Sequence, residues 1–341
     1  MKEVTVVIPN YNGMKYLPEC MASLCQGQEN APEYEVLIID NGSADGSVEY
    51  LDSEWCRKKE APAEEGGKPQ VRLIALPENT GFCHAVNLGI REARSPYVIL
   101  LNNDTRVEAR FVKGLYDAIR KDEKIFSVSA KMLMWDKPEL LDDAGDRYCV
   151  LGWAYSRGKG RPAVDYDKNV SIFSACGGAA IYRRQVFEEI GYFDEAHFAY
   201  LEDIDVGYRA KIYGYKNVYC PSAMVYHVGS GTSGSRYNSF KVRLAARNNI
   251  YLNYKNMPWP QLLLNALPLG LGILVKYGFF KKIGFGKDYL DGLKEGVKTA
   301  KLCKKVKYNR DHLKHYAAIE WELCTGTLLY IREFLARQAA K

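Results

Sequence analysis

Residues 96–106 read PYVILLNNDTR. Tyr97 to Leu101 is an unbroken apolar run rich in strand formers, short enough to be a strand buried on both faces. It stops abruptly at Asn102, Asn103 and Asp104. A carboxylate just past the end of a buried parallel strand lies where open α/β sheets bind ligands, outside the carboxyl ends of their strands. Asn-Asn-Asp-Thr also suits a turn leading into a helix cap, because Asn, Asp and Thr are favoured in both. The same kind of ending at Asp40 shifts the balance toward a site.

Working outward, Val4 to Ile8 is a β-branched run closed by the turn residues Pro9 to Gly13, with a helix over about 16–26. Glu35 to Ile39 is a second strand, ending in DNGSADGS, where Asp45 is placed to cap the next helix. This loop is not a calcium loop, since Gly42 and Ala44 stand where oxygen side chains are needed. Residues 54–69 are charged and rich in Gly, Pro and Ala, and predict an exposed excursion. Val71 to Leu76 is a third strand, and Gly81 opens the helix before the run quoted first. Strand and helix thus alternate four times in about 120 residues, the pattern of a doubly wound, mostly parallel sheet.

Beyond Met132 the alternation ends. Residues 142–162 predict a meander, and Cys176 to Ala179 are small residues that permit close backbone approach. Short helices are expected over 185–190 and 198–213, then a strand over 218–227 and a flexible GSGTSGS loop over 229–235. Three strand ends therefore present Asp40, Asp104 and His227, and one helix start presents Glu202, Asp203 and Asp205. Singly, each has a structural explanation: turn, favourable helix-end charge, or satisfied core histidine.

The chain has 341 residues, 47% apolar and 26% charged, which allows one large domain or a domain with an appendage. Its net charge of +6 is uneven: Lys276 to Lys314 holds twelve Lys/Arg against four Asp/Glu, a local +8, leaving −2 elsewhere. Nine cysteines without a C-x-x-C pair argue against a zinc cluster or a disulfide framework and for a reducing compartment. The absence of a leader pattern leads to the same expectation of a cytoplasmic protein.

The segments VVIPNYNG, LIIDNGSADGS, NTGFCHAVNLGI, VILLNNDT, CGGAAIYRR, FDEAHFAYLEDIDVGYR and VYHVGSGTSGS together resemble glycosyltransferase family 2, with the GT-A fold, over about Val4–Lys255. More narrowly, the chain is similar to the rhamnosyltransferase-like branch that builds bacterial surface polysaccharides. The resemblance implies a catalytic domain over 1–255, with a nucleotide-binding half to 126 and an acceptor-binding half from 127, and a basic helical region over 256–341. It implies inverting transfer of a sugar from a nucleotide diphosphate sugar, dTDP-rhamnose before UDP-hexoses, to a glycan or lipid-linked acceptor. A non-catalytic sugar-binding module is the alternative, because fold alone does not establish chemistry. A nucleotidyltransferase would need a Gly-rich, Lys-bearing loop after the first strand, which is missing.

By the same resemblance, Pro9 and Tyr11 wall the base, Asp40 accepts from base or ribose, and Asn79 and Gly81 lie near the ribose and diphosphate. Ser43, Asn87 and Asn103 complete the donor side. Asp104 matches the last acid of the family's D-x-D motif and would hold a divalent cation, Mg2+ or Mn2+, with His227 as a second ligand. Asn102 departs from that motif, which leaves one carboxylate instead of two. Arg243 and Arg247, one turn apart, would clamp phosphates. Asp203 is the expected base and Glu202 its partner, since adjacent helical residues point about 100° apart and only one faces the acceptor. Asp205, Gly177, Gly178 and Trp153 are expected on the acceptor side.

In the tail, Leu262 to Leu274 is apolar but only about thirteen residues long, short of the roughly 20 needed to span a bilayer. An interfacial segment fits better. Lys294, Lys298, Lys301 and Lys305 form a helical stripe beside Leu290, Leu293, Val297 and Ala300, suited to an anionic membrane surface or to packing on the catalytic core. The expectation is a peripheral protein at the inner face of the plasma membrane. Nucleic acid is excluded as a partner for lack of any recognition motif, and a homodimer is left open.

Overall fold

The structure, a computed structural model, describes residues 2–56, 69–229 and 237–339, with side chains as far as residue 335. Most of the expected excursion over 54–69 and of the GSGTSGS loop lies outside the described residues. β1 (Val4–Asn10), α1 (Leu17–Gln26), β2 (Tyr34–Asn41), α2 (Ser47–Leu51), β3 (Gln70–Leu76), α3 (Phe82–Glu92) and β4 (Tyr97–Leu101) give the alternation read from sequence. β5 (Thr105–Val107), α4 (Phe111–Ile119) and β6 (Ile125–Met134) follow. The meander resolves into β7 (Lys137–Asp143), β8 (Asp146–Tyr148) and β9 (Ala154–Ser156), and then come β10 (Val170–Ile172) and β11 (Ala179–Arg183). α5 (Val186–Ile190), α6 (Glu202–Ile212) and β12 (Lys216–His227) come next.

Alternate residues of the central strands enter different cores. Val6, Ile8, Val36, Ile38 and Ile99 pack with α1 and α4, whereas Val7, Leu37, Ile39, Val98 and Leu100 pack with α3, α5 and α6. Each such fully buried side chain contributes about 1.5–3 kcal/mol, which explains why these strands read as continuous apolar runs. In the sheet the neighbours run β10, β12, β6, β11, β4, β1, β2, β3. β1 to β4 are parallel, as are β6 and β12, while β11 is antiparallel to β4 and β6. Order therefore reverses at β1 and β4, and such a switch point is where open sheets bind ligands.

A layer of helices closes the molecule: α7 (Ser239–Asn256), α8 (Trp259–Leu264), α9 (Ala266–Lys282), α10 (Gly286–Thr299) and α11 (Leu313–Ala339). Tyr208 of α6 donates to Gln261 at 3.0 Å, Gln261 donates to Glu320 at 2.8 Å, and His315 lies 2.8 Å from the Ile212 carbonyl. The expected boundary at 255/256 cuts the last turn of α7, where Asn256 donates to Asp205 at 2.7 Å.

The expected amphipathic lysine helix needs correcting. α10 ends at Thr299, so Lys301 and Lys305 leave the stripe, and of its expected apolar side Ala300 is buried while Val297 is exposed. Gly292 and Gly296 lie against the Arg243 and Arg247 carbonyls, where a Cβ would come within 2.3 and 2.9 Å, and Tyr289 is buried. Exposed apolar side chains are found on α8 and α9, and also along α11. Among the described residues no helix is long and apolar enough to cross a membrane.

Candidate active site

The carboxyl ends of β1, β2 and β4 are tied by side-chain amides. Asn10 Nδ2 donates to Asp40 Oδ2 at 2.7 Å and to Ser43 Oγ at 3.2 Å, and Asn103 Nδ2 donates to Asn10 Oδ1 at 2.6 Å. Asp40 Oδ1 accepts from the Ser43 amide at 2.9 Å. Asn10 thus joins all three strands, and sequence reasoning missed it although it ends β1 as Asp40 ends β2. Pro9 and Tyr11 are half-buried at this edge. The exposed Asn79 accepts from Asn41 Nδ2 and from the Gly81 amide, both at 3.0 Å. Gly81 has φ 91°, and a Cβ there would fall 2.6 Å from the Phe198 ring, so glycine is required on both counts.

Past β4, Asp104 Oδ1 lies 3.3 Å from His227 Nε2. The other ring nitrogen, Nδ1, lies 2.7 Å from Asp142 Oδ2. Burial works against a charged imidazole here, but hydrogen bonds and charge from Asp104 and Asp142 outweigh it and raise His227 to about 9. Once its Nε2 proton is displaced, His227 with Asp104 offers one nitrogen and one oxygen, the imidazole oriented by a second carboxylate, a set that fits a divalent cation whose remaining ligands come from diphosphate and water. Asp142 was missed because it lies in β7, brought to β12 only by their shared neighbour β6.

The acids are delivered by a strained loop. Phe198, Tyr200 and Leu201 have φ of 64°, 72° and 65°, a region costly for residues with a Cβ, and the helix therefore starts at Glu202 rather than Phe198. Asn248 on α7 holds this shape: its Nδ2 donates to the carbonyls of His197, Ala199 and Tyr200 at 2.9, 2.8 and 2.8 Å. Arg247 Nη2 adds bonds of 3.0 Å to Ala196 and His197.

Asp203 is partly exposed, and its carboxylate accepts from the amides of Ile204 and Gly177. Burial raises it, these bonds hold part of the rise back, and the carboxyl sits at about 6. Glu202 is buried, with Oε2 lacking a partner, and burial with the neighbouring Asp203 charge pushes it up to about 8. Asp146, at the start of β8, joins the cluster; burial and the charges of Asp143 and Asp203 raise its carboxyl well above the ordinary range. Ligating atoms of Asp146, Cys176 and Asp203 lie within 4.8 Å of one another. The Gly177-Gly178 segment connects this cluster to the carboxyl end of β4, because the Asn102 amide donates to the Gly178 carbonyl at 2.9 Å. Both sets of acids therefore share one piece of backbone.

Five expected residues are engaged elsewhere. Asp205 is fully buried and bonded to Arg209, Lys255 and Asn256, so its role is internal to the fold. Both amide hydrogens of Asn87 are spent on the Phe193 carbonyl and Glu195, fastening α3 to the acid loop. Trp153 donates to the Gly272 carbonyl at 3.1 Å and packs edge-on against Tyr330. Arg243 pairs with Glu295 at 2.8 Å, and Arg247 with the same carboxylate at 3.2 Å, in place of a phosphate clamp.

The mostly parallel sheet, with helices on both faces and acids gathered near its carboxyl edge, has the GT-A fold of known glycosyltransferases. The sequence model of Glycosyl transferase family 2 matches residues 5–191, and the chain belongs to that family. It is 29% identical, over 257 residues, to the N-acetylglucosaminyl-diphospho-decaprenol L-rhamnosyltransferase of Mycobacterium tuberculosis, covering 67% of this chain and 77% of the relative. Two solved structures share the fold. Staphylococcus aureus TarS 1–349 in complex with UDP-GlcNAc has a TM-score of 0.58 at 16% identity, covering 87% of this chain and 81% of that one. The mannosyltransferase PcManGT from Pyrobaculum calidifontis, in complex with GDP-Man and Mn2+, has a TM-score of 0.54 at 16% identity, covering 99% and 84%.

Proposed function

We propose that this enzyme transfers a deoxyhexose, L-rhamnose from dTDP-rhamnose before a hexose from UDP-hexoses, to a glycan or lipid-linked glycan in cell-surface polysaccharide synthesis. The rhamnosyl donor and lipid-linked acceptor are supported by the mycobacterial relative. Asp203 removes the proton of an acceptor hydroxyl, whose oxygen attacks the anomeric carbon opposite the nucleotide. The bond to the diphosphate breaks with its electron pair, and the configuration inverts. Asp104 and His227 would hold the divalent cation, Mg2+ or Mn2+, which neutralises charge on the diphosphate. Glu202, neutral at pH 7, leaves Asp203 as the ionised acid of the pair. The enzyme works on the cytoplasmic side, at the inner face of the plasma membrane.

The observation that carries this reading is the tie between Asp203 and Asn102 through Gly177 and Gly178. A panel of nucleotide sugars with Mg2+ or Mn2+ tests it by thermal shift and donor hydrolysis. The largest shift is expected with dTDP-rhamnose and its loss with chelator; equal donor hydrolysis with and without chelator would sink the metal assignment.

A further inference from the structure

The outer surface of α8 and α9 carries an apolar ridge. Trp259, Leu263, Leu264, Leu267, Leu271 and Leu274 recur at helical spacing, and all are more than half exposed, Leu267 to 87%. A contiguous ridge of this kind marks an interaction surface. From Trp259 to Lys287 there is no acidic residue, while the exposed Lys281, Lys282 and Lys287 supply three positive charges. Lys281, Lys287 and Lys294, three lysines against the single carboxylate of Asp291, also line a cleft of about 370 Å³ between α9 and α10. Apolar side chains with tryptophan at one end and lysines at the other complement the interface of an anionic bilayer.

The opposite side of α9 is held by the protein. Gly272 lies against the Leu151 carbonyl, where a Cβ would come within 2.0 Å, and accepts from Trp153. α9 therefore stays with the catalytic body. We infer that α8 and α9 dock the enzyme on an anionic lipid surface, with the ridge in the headgroup layer and the lysine-lined cleft against lipid phosphates. The inference deepens the proposed use of a lipid-linked acceptor and rests on that reading for its purpose. Asp146, in the acid cluster, is five residues from Leu151, so at most about 18 Å of extended chain separates the acids from the docking helix. An acceptor whose lipid stays in the bilayer is thereby presented close to Asp203.

The test is cosedimentation of the full chain with vesicles of phosphatidylcholine alone or mixed with phosphatidylglycerol, followed also by tryptophan fluorescence. Binding is expected to the anionic vesicles and to weaken with salt. Leu267→Glu, Leu271→Glu and Leu274→Glu together should cut the bound fraction at least about tenfold, with donor hydrolysis in solution unchanged. Lys281→Glu with Lys282→Glu should remove the preference for anionic lipid. No sedimentation with either vesicle at low salt would overturn the inference. So would a dimer in solution that the leucine variants dissociate, without any vesicle binding. A chain that binds vesicles through this ridge but hydrolyses no nucleotide sugar would uphold the docking face and refute the proposed donor reaction.

Discussion

Asn248 donates a hydrogen bond of 2.8 Å to the carbonyl of Tyr200, two residues before the first acid of α6. With its bonds to His197 and Ala199, this fixes backbone that would otherwise relax out of the left-handed region. Asn248→Ala is expected to lower kcat about 10- to 100-fold, the scale of an ångström-sized misplacement of a reacting group, with nucleotide affinity unchanged. Asn248→Asp, which lacks the donors, should behave alike. Steady-state kinetics with calorimetric nucleotide binding separate this from a general loss of folding.

As the proposed base, Asp203 must be ionised to act. Its carboxyl lies at about 6, so transfer should rise with pH through that value and level above it. Asp203→Asn should abolish transfer at every pH while nucleotide affinity stays within about twofold. Transfer near the wild-type rate would place the base elsewhere.

Glu202 makes the opposite contribution to stability. Its folded value of about 8 exceeds the ordinary 4.5, so the folded chain keeps a proton that the unfolded chain releases. Stability therefore falls as pH rises from about 4.5 to 8. Glu202→Gln should raise the melting temperature at pH 8 by several degrees and change it little at pH 4, as thermal melts at the two pH values would show.

Much of this was legible in the strands. The strand-end positions of Asp40 and Asp104 were legible because β1, β2 and β4 are apolar runs whose ends are sharp, and the place of the α6 acids because their motif is dense. Strand order was not legible, since burial patterns say nothing about neighbours. Asp142, Asp146 and Asn248 escaped notice for a related reason: each acts across 48 to 85 residues of chain, through a sheet register or a helix contact. Asp205 was misplaced because a helix-start carboxylate looks the same whether it faces a cleft or Arg209 and Lys255.

Asp142 orients His227 from behind. Asp142→Asn is expected to weaken Mn2+ binding in the presence of nucleoside diphosphate about 10- to 100-fold. Activity should return at high Mn2+. Calorimetry and a metal titration of donor hydrolysis check both, and an unchanged affinity would remove His227 from the metal site.

Asp205 should behave as a stability residue. Burial opposes its charge, but Arg209 and Lys255 outweigh that and hold its carboxyl well below the ordinary range. Its contribution is present above about pH 4 and is lost as pH falls below that. Asp205→Asn leaves two buried cations underpaired and should cost about 3–5 kcal/mol in denaturant unfolding at pH 7, with little change in acceptor KM for the folded fraction.

The fit of Gly81 against the Phe198 ring bears on how such enzymes diversify. The start of α3 on the donor side and the loop that presents the acids are shaped to each other, and the Cys83 amide also bonds the Phe198 carbonyl at 3.1 Å. Chimeras that trade the first 126 residues for those of a homologue would inherit a mismatched seam, so new sugar specificities on this scaffold must arise by coordinated change on both sides of it.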